Sequence, residues 1–384
     1  MTTEIRFGKP SEREELLDFI NYVFGYNGTS GDFLTLIPHY YQPEGRPAEQ
    51  NLLLLEDGKI RAAVGTFQHS LTVCDESLRV MWIGNVAVHP RRRGEGYMKQ
   101  LMHRAIDLAK ESHTDFMALG GHRHRYLHFS FDKIGTEVLF SLHDHTVRRC
   151  FGTQRTSRLA LREVKETDTA LLQQILRDYE TKPVHATRPV DRLHVYLTSH
   201  HARLLALTEQ GEYRGYAIVD NDHVKELHLS SPDLMGDLLV AIYDGLGLRS
   251  LHLHLPVYAY AEIDQLQKYW ERYSMDSVRS VSVLCYRSVL RAYLKLKLAT
   301  ESLPNGSLSL QINGANGVEH LRVTVENGAC EVTPCDPSEC ALTLEHTEAM
   351  RLLFSPYCPL RSTLPFHARL WFPLPFWIDH VEHF

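Results

Sequence analysis

Val86-Ala87-Val88-His89-Pro90-Arg91-Arg92-Arg93-Gly94-Glu95-Gly96-Tyr97-Met98 is the stretch from which the rest of the chain can be read. Val86-Ala87-Val88 reads as the end of a strand and Tyr97 to Glu111 as a helix, which leaves three arginines and two glycines in the turn between them. A strand, a glycine turn and a helix start direct several backbone N–H groups and the positive end of a helix dipole at one point, an arrangement suited to an anion. Gly94 and Gly96 serve it because a Cβ would hold the backbone away from the anion and because such turns use positive φ. Arginines beside the turn can pair with phosphate oxygens. A Walker loop would end in Gly-Lys-Ser/Thr, and a dinucleotide fingerprint would need a third glycine and an acidic residue about 20 positions on; the stretch has neither pattern.

The chain has 384 residues, enough for two or three domains, and 43% of them are hydrophobic, enough for substantial cores. It has no apolar run of transmembrane length, and Met-Thr-Thr-Glu-Ile-Arg does not read as a secretory leader, so a cytoplasmic protein with no membrane partner is expected. Seven cysteines, an odd number without a framework spacing, fit a reducing compartment. Cys330, Cys335 and Cys340 recur more widely than zinc pairs do and read as free thiols. The net charge of −6 argues against a nucleic-acid partner and for cationic ones.

An internal repeat organises the first three hundred or so residues. Ile5 to Glu12 and Leu161 to Asp168 share one pattern: apolar, Arg, two free positions, Lys, one free position, hydroxyl, acid. Each copy reads as a strand followed by a helix cap, with Ser11 and Glu14 as a capping box in the first. Downstream, Leu52 to Leu55, Asp57-Gly58 and Ile60 to Phe67 match Leu204 to Leu207, Gln210-Gly211 and Tyr213 to Val219, both as hairpins. The copies part at the third element. Where the first carries the arginine and glycine turn, the second has Ser230-Ser231-Pro232-Asp233-Leu234-Met235-Gly236-Asp237, whose carboxylates oppose phosphate. One copy is therefore expected to bind the anion and the other not.

After Leu298 come short alternating strands linked by Gly314, Asn316 and Gly317, a turn at Asn327-Gly328, and a helix from Thr347 to Phe354, an α+β texture. The tail carries Trp371, Phe372, Phe376, Trp377 and Phe384, too many aromatics to leave in solvent, so it is expected to dock on another domain. His252 and His254 would share one strand face, as metal pairs do. Alternation with buried Leu251, Leu253 and Leu255 explains them as well, and no metal is expected.

Arg91, Gly94 and Gly96 fill the fixed positions of (Gln/Arg)-x-x-Gly-x-(Gly/Ala), so the turn resembles motif A of the GNAT acyltransferases, which grips the pyrophosphate of acetyl-CoA. Tandem GNAT-like units, the second without the cofactor turn, followed by a small α+β domain and an aromatic terminus, resemble the enhanced intracellular survival (Eis) family. That resemblance covers the whole chain. It implies an α/β and α+β protein with two tandem GNAT-like domains of mixed sheets, the second degenerate, and then a sterol carrier-like domain. The expected segments are 1–150, 151–298 and 299–384. Acetyl-CoA as co-substrate would be held by Val86, Ala87, Val88, Arg91, Arg92, Arg93, Gly94, Glu95, Gly96, Tyr97 and Met98, with Gly121 and His122 beside them.

In the family a tyrosine in Tyr-x-x-Phe-x-(Tyr/Phe) acts as general acid, and Tyr126-Leu127-His128-Phe129-Ser130-Phe131 matches in register. The family's general base is the terminal carboxylate, here that of Phe384. The chemistry needs such groups, because the amine of the acceptor has a pKa near 10 and the leaving thiolate, of pKa about 8.5, needs a proton. Two departures stand out. The terminus Trp377-Ile378-Asp379-His380-Val381-Glu382-His383-Phe384 is spaced unlike the family's. Gly121-His122-Arg123-His124-Arg125 is basic where the family's loop is small and acidic, so it either holds the cofactor or repels a cationic substrate. The expected function is N-acetyl transfer from acetyl-CoA to a primary amine of a cationic small molecule or a lysine-containing peptide, by a homo-oligomer. The alternatives are an acyl-CoA-binding regulatory protein without turnover, or a transferase of longer acyl groups.

Overall fold

The computed structural model describes residues 3–28, 31–270 and 272–382. They form two compact units: the first joins the segment up to Gly135 with Arg279–Phe376, the second joins Thr136–Val278 with the segment from Trp377.

In the first unit a mixed sheet runs in the order Thr3–Phe7, Asn51–Glu56, Lys59–Val73, Glu76–Val88, Phe116–Leu119, Arg279–Val283, Asp132–Ile134. Its parallel pair is Glu76–Val88 with Phe116–Leu119. The expected hairpin is present, its turn made by Asp57 and Gly58, both in the left-handed region. Helix Tyr97–Glu111 follows the glycine turn and buries Tyr97, Leu101, Met102, Ala105 and Ala109, a stripe at helical spacing.

A second sheet of this unit, ordered Ala329–Pro334, Gly317–Glu326, Gly306–Gly314, Leu342–Glu345, is the small α+β element foreseen near the end of the chain. The tail docks as its composition requires. Phe376 packs on Phe116, Tyr293 and Phe354, and the Lys297 ammonium donates to the carbonyls of Leu370, Trp371 and Pro373 at 3.0, 3.1 and 3.0 Å. Phe384 lies outside the described residues.

The sheet of the second unit runs Arg272–Asp276, Glu137–His143, Ser250–Pro256, His223–Leu229, Glu212–Asp220, Arg203–Glu209, Ala160–Glu163. Its parallel pair, His223–Leu229 with Ser250–Pro256, repeats that of the first unit. The sheets do not follow the chain segment by segment: strand Glu137–His143 belongs to the second, and strand Arg279–Val283 to the first.

The repeated octapeptide has a physical basis. In the first copy Arg6 pairs with Glu12 at 2.7 Å while Glu12 accepts the Lys9 backbone N–H at 2.7 Å. In the second, Arg162 pairs with Asp168 at 3.2 Å and Asp168 accepts the Lys165 N–H at 2.9 Å. In both copies the last acid, not the hydroxyl, closes the turn by accepting the N–H three residues before it. This corrects the Ser11 and Glu14 capping box: a 3-10 turn, Pro10–Glu12, precedes helix Arg13–Tyr26, and Glu12 reaches back to Lys9.

Candidate active site

Strand Glu76–Val88 holds the site because it bends. Its register with Lys59–Val73 shifts between Ala63 and Gly65, and Asn85 opposite that shift adopts φ 36. The bulge is locked from within. Asn85 donates to the Asn51 side chain at 2.7 Å, and Asn51 to the Pro47 carbonyl at 2.8 Å. A Cβ on Gly65 would stand 2.3 Å from the Asn85 oxygen and 2.4 Å from the Phe67 ring, so only glycine fits there. On the other side, pairing with Phe116–Leu119 ends at Ile83 and Leu119, so Val86 to Val88 enter no register with that strand. Asn51, Gly65 and Asn85 went unnoticed in the sequence; two asparagines and a glycine in apolar strands were the available signal.

Beyond the strand, Pro90–Arg92 forms a 3-10 turn, and Gly94 and Gly96 take φ 87 and 79. A Cβ on either would meet nothing within 4 Å, so the turn faces open space. Among the described residues no hydrogen bond uses the backbone N–H groups of Arg93, Gly94, Glu95 or Gly96, and helix Tyr97–Glu111 starts without a side-chain cap. Unpaired amides at a helix start are donors waiting for an acceptor. The turn thus fits a diphosphate such as that of acetyl-CoA.

The three arginines differ in their surroundings. Arg92 turns inward onto the buried carboxylate of Glu56 at 2.8 Å and onto Glu95 at 3.3 Å. Arg93 reaches Asn27 at 2.8 Å and lies 5.4 Å over the Tyr26 ring. Arg91 is exposed and, among the described residues, its guanidinium has no ion-pair partner. Burial, helped by Arg61, Arg91 and Arg92, lowers the His89 pKa, and its Nδ1 accepts the Arg91 N–H at 3.2 Å. A neutral His89 therefore shapes the turn.

Tyr126 ends the short helix Arg123–Tyr126 and is 5% exposed. It shares one apolar cluster with Ile83, Tyr97, Leu101 and Leu119, against which Val86, Val88 and Met98 also pack. Burial raises its pKa, against the opposing effect of Arg125. Gly121, at φ 119, lies flat on the ring: a Cβ there would be 2.9 Å from Tyr126 Cε2. In the basic loop, Arg123 is tied to the buried carboxylate of Asp132, which Arg351 also meets at 2.9 Å, while His122, His124 and Arg125 stay exposed. The fold thus gathers the strand end, the turn, the helix start and Tyr126 around one apolar cluster, with Gly121 against the tyrosine.

In the second unit the equivalent helix, Met235–Gly245, begins differently. A Cβ on Gly236 would come 2.5 Å from the Tyr269 hydroxyl, and Asp237 in the first turn is taken by Arg158 at 2.8 Å. Nothing there resembles the open cradle of Gly94 and Gly96.

Residues 4–129, which contain the strand bulge, the glycine turn and the capless helix, match the acetyltransferase (GNAT) domain family. The chain as a whole shares its fold with solved structures of similar length. It is similar to a GCN5-related N-acetyltransferase from Kribbella flavida, with a TM-score of 0.68, 16% identity and coverage of 100% of this chain and 98% of that one. A GCN5-related N-acetyltransferase from Anabaena variabilis gives 0.69, 13%, and 100% of both chains. Eis1 from Mycobacterium abscessus gives 0.65, 13%, 99% of this chain and 100% of the other. No curated protein sequence matches.

Proposed function

We propose that the protein transfers an acetyl group from acetyl-CoA to a primary amine on a cationic small molecule or a lysine side chain. The observation that carries this reading is the open turn at Gly94 and Gly96, whose unpaired amides front helix Tyr97–Glu111. Acetyl-CoA supplies the activated acyl group. Arg91 and the amides from Arg93 to Gly96 would hold its diphosphate, Val86 to Val88 would offer backbone donors along its pantetheine and thioester, and Tyr97, Met98 and His122 would border it.

Tyr126 suits the proton donor. Its raised pKa keeps the phenol protonated at neutral pH, ready for a departing thiolate. In this reading the Phe384 carboxylate takes the proton of the attacking amine; in water its pKa of about 3.5 would make it a weak base, and burial would raise it. Residues 1–150 would carry the cofactor, 151–298 the degenerate copy and 299–384 the sterol carrier-like end. The protein would act in the cytoplasm as a homo-oligomer. No helix among the described residues is long and apolar enough to cross a membrane, and the seven cysteines are free thiols, in keeping with that setting.

The deciding experiment is a thiol-release assay with acetyl-CoA across a panel of amines, with calorimetry of coenzyme A binding. Turnover on an amine supports the proposal. Absence of coenzyme A binding overturns it.

A further inference from the structure

The polar face of the second unit's sheet carries a row of imidazoles. Leu251, Leu253 and Leu255 of strand Ser250–Pro256 point into the core, as alternation requires, so His252 and His254 share the opposite face. The parallel neighbour starts at His223, in register with His252. Asp222 precedes it in the turn, and the antiparallel neighbour contributes Glu137 and Ser141. None of these residues takes part in the acetyl-transfer site.

Their hydrogen bonds fix how the rings are turned. Glu137 is nearly buried. Burial pushes its pKa up, but hydrogen bonds from His254 at 3.1 Å and His380 at 2.5 Å outweigh this and hold it well below the usual carboxylate range. An ionised carboxylate only accepts, so the nitrogen of His254 that faces it, Nδ1, carries the proton. The other nitrogen of His254, Nε2, lies 2.8 Å from His223 Nδ1, so the two rings are hydrogen-bonded. His223 Nε2 faces a carboxylate oxygen of Asp222 at 3.7 Å. His252 Nε2 stands 3.7 Å from the other Asp222 oxygen, with its Nδ1 2.8 Å from the Ser141 hydroxyl.

At 3.7 Å His223 Nε2 and His252 Nε2 are each too far from Asp222 for a hydrogen bond. The separation suits metal ligation. Nitrogen and oxygen ligands at about 2.0–2.2 Å in a tetrahedral set lie roughly 3.3–3.6 Å apart. One ligand atom from each of Asp222, His223 and His252 falls within 4.8 Å of the other two. Ser250 donates to Asp222, and Ser141 and His254 orient the rings from behind, as outer partners of metal ligands do.

We propose that Asp222, His223 and His252 bind a divalent transition-metal ion, zinc foremost, with His254 and Glu137 orienting the ring of His223. Two imidazoles and one carboxylate are borderline ligands that suit zinc over magnesium or calcium, and three protein ligands leave a fourth position for water. Glu137, His254 and His380 are close enough together to be a competing set. Their contacts at 3.1 and 2.5 Å are those of hydrogen bonds already made, and a metal there would displace the proton that His254 Nδ1 donates to Glu137.

The test uses the full-length chain, stripped with chelator, and titrated with zinc sulfate by calorimetry and with cobalt(II) by visible absorption. The expected result is one equivalent bound, with the intense ligand-field bands of a four-coordinate nitrogen and oxygen site. His223→Ala, His252→Ala and Asp222→Asn should abolish it, His254→Phe should weaken it by roughly 10–100-fold, and His380→Ala should leave it in place. Circular dichroism and coenzyme A binding check that each variant is folded. The proposal fails if the folded wild type binds no metal, if cobalt shows thiolate charge-transfer bands, or if binding survives His223→Ala. It equally fails if His380→Ala abolishes binding while remaining folded.

Discussion

Arg188 lies against Glu382 inside the second unit, with Nε and Nη2 donating to one carboxylate oxygen at 2.8 and 2.7 Å. Neither side chain is exposed by more than 1%. The same guanidinium donates to Glu226 at 3.0 and 2.6 Å and lies 3.3 Å over the Tyr179 ring. Tyr179 donates to Glu382 at 3.0 Å, and Tyr196 donates to its other oxygen. Two acids around one arginine need these hydroxyl donors, because buried carboxylates are tolerated only when paired and hydrogen-bonded. The arrangement ties Glu382 into the core of the second unit.

Arg188→Met should therefore be strongly destabilising, because it strands two buried carboxylates. A loss of about 3–5 kcal/mol is expected. Chemical denaturation against wild type measures it; a loss under 1 kcal/mol would show that the network contributes little.

Asp379 gives stability an opposite dependence on pH from most acids. Burial pushes its pKa up to about 6, with Lys182 and Arg188 opposing and Glu226 and Glu382 assisting. The folded state then holds a proton that the unfolded chain has released, so this residue's contribution is full below its ordinary pKa and is lost as pH rises to about 6. Asp379→Asn keeps the oxygen that accepts from Trp377 at 3.1 Å. It should gain on the order of 1–3 kcal/mol at pH 8 and nothing near pH 3, read from melts at the two pH values.

Gly94→Ala and Gly96→Ala would each force a Cβ into the left-handed region, at φ 87 and 79. The expected strain is roughly 1–2 kcal/mol. Coenzyme A affinity should fall by more than that strain alone implies, since the methyl group enters the space in front of the amides. Calorimetry with desulfo-coenzyme A reads the affinity and thermal melts read the strain; equal losses in both would count against the cradle.

Tyr126→Phe should lower turnover by about 100-fold or more while leaving coenzyme A affinity unchanged, as loss of a proton donor does. Packing should survive, because the ring lies in an apolar cluster and against Gly121. Appending one alanine after Phe384 tests the base independently: an unchanged kcat would rule out the terminal carboxylate.

The glycine turn was legible because its demands are local: two positive-φ glycines, a strand before and a helix after occupy consecutive positions. The duplicated octapeptide was legible for the same reason, since an arginine and an acid six residues apart close a turn without help from the rest of the chain. The Asn85 bulge was hidden, because its lock uses Asn51 and Gly65, distant in sequence and ordinary in type. His252 and His254 were visible as a pair, but their partners Asp222, His223 and Glu137 arrive from neighbouring strands whose register no single segment specifies.

By itself the sequence determined the repeat, the glycine turn, the loss of that turn in the second copy and the burial of the aromatic tail, all properties of short-range spacing and composition. Only the tertiary structure decided that strand Arg279–Val283 completes the first sheet and Glu137–His143 the second, and that Glu382 meets Arg188. The reason is that hydrogen-bond ladders accept any strand with the right alternation, so partner choice depends on how whole faces pack, and a buried charge finds its partner only once the chain has closed around both.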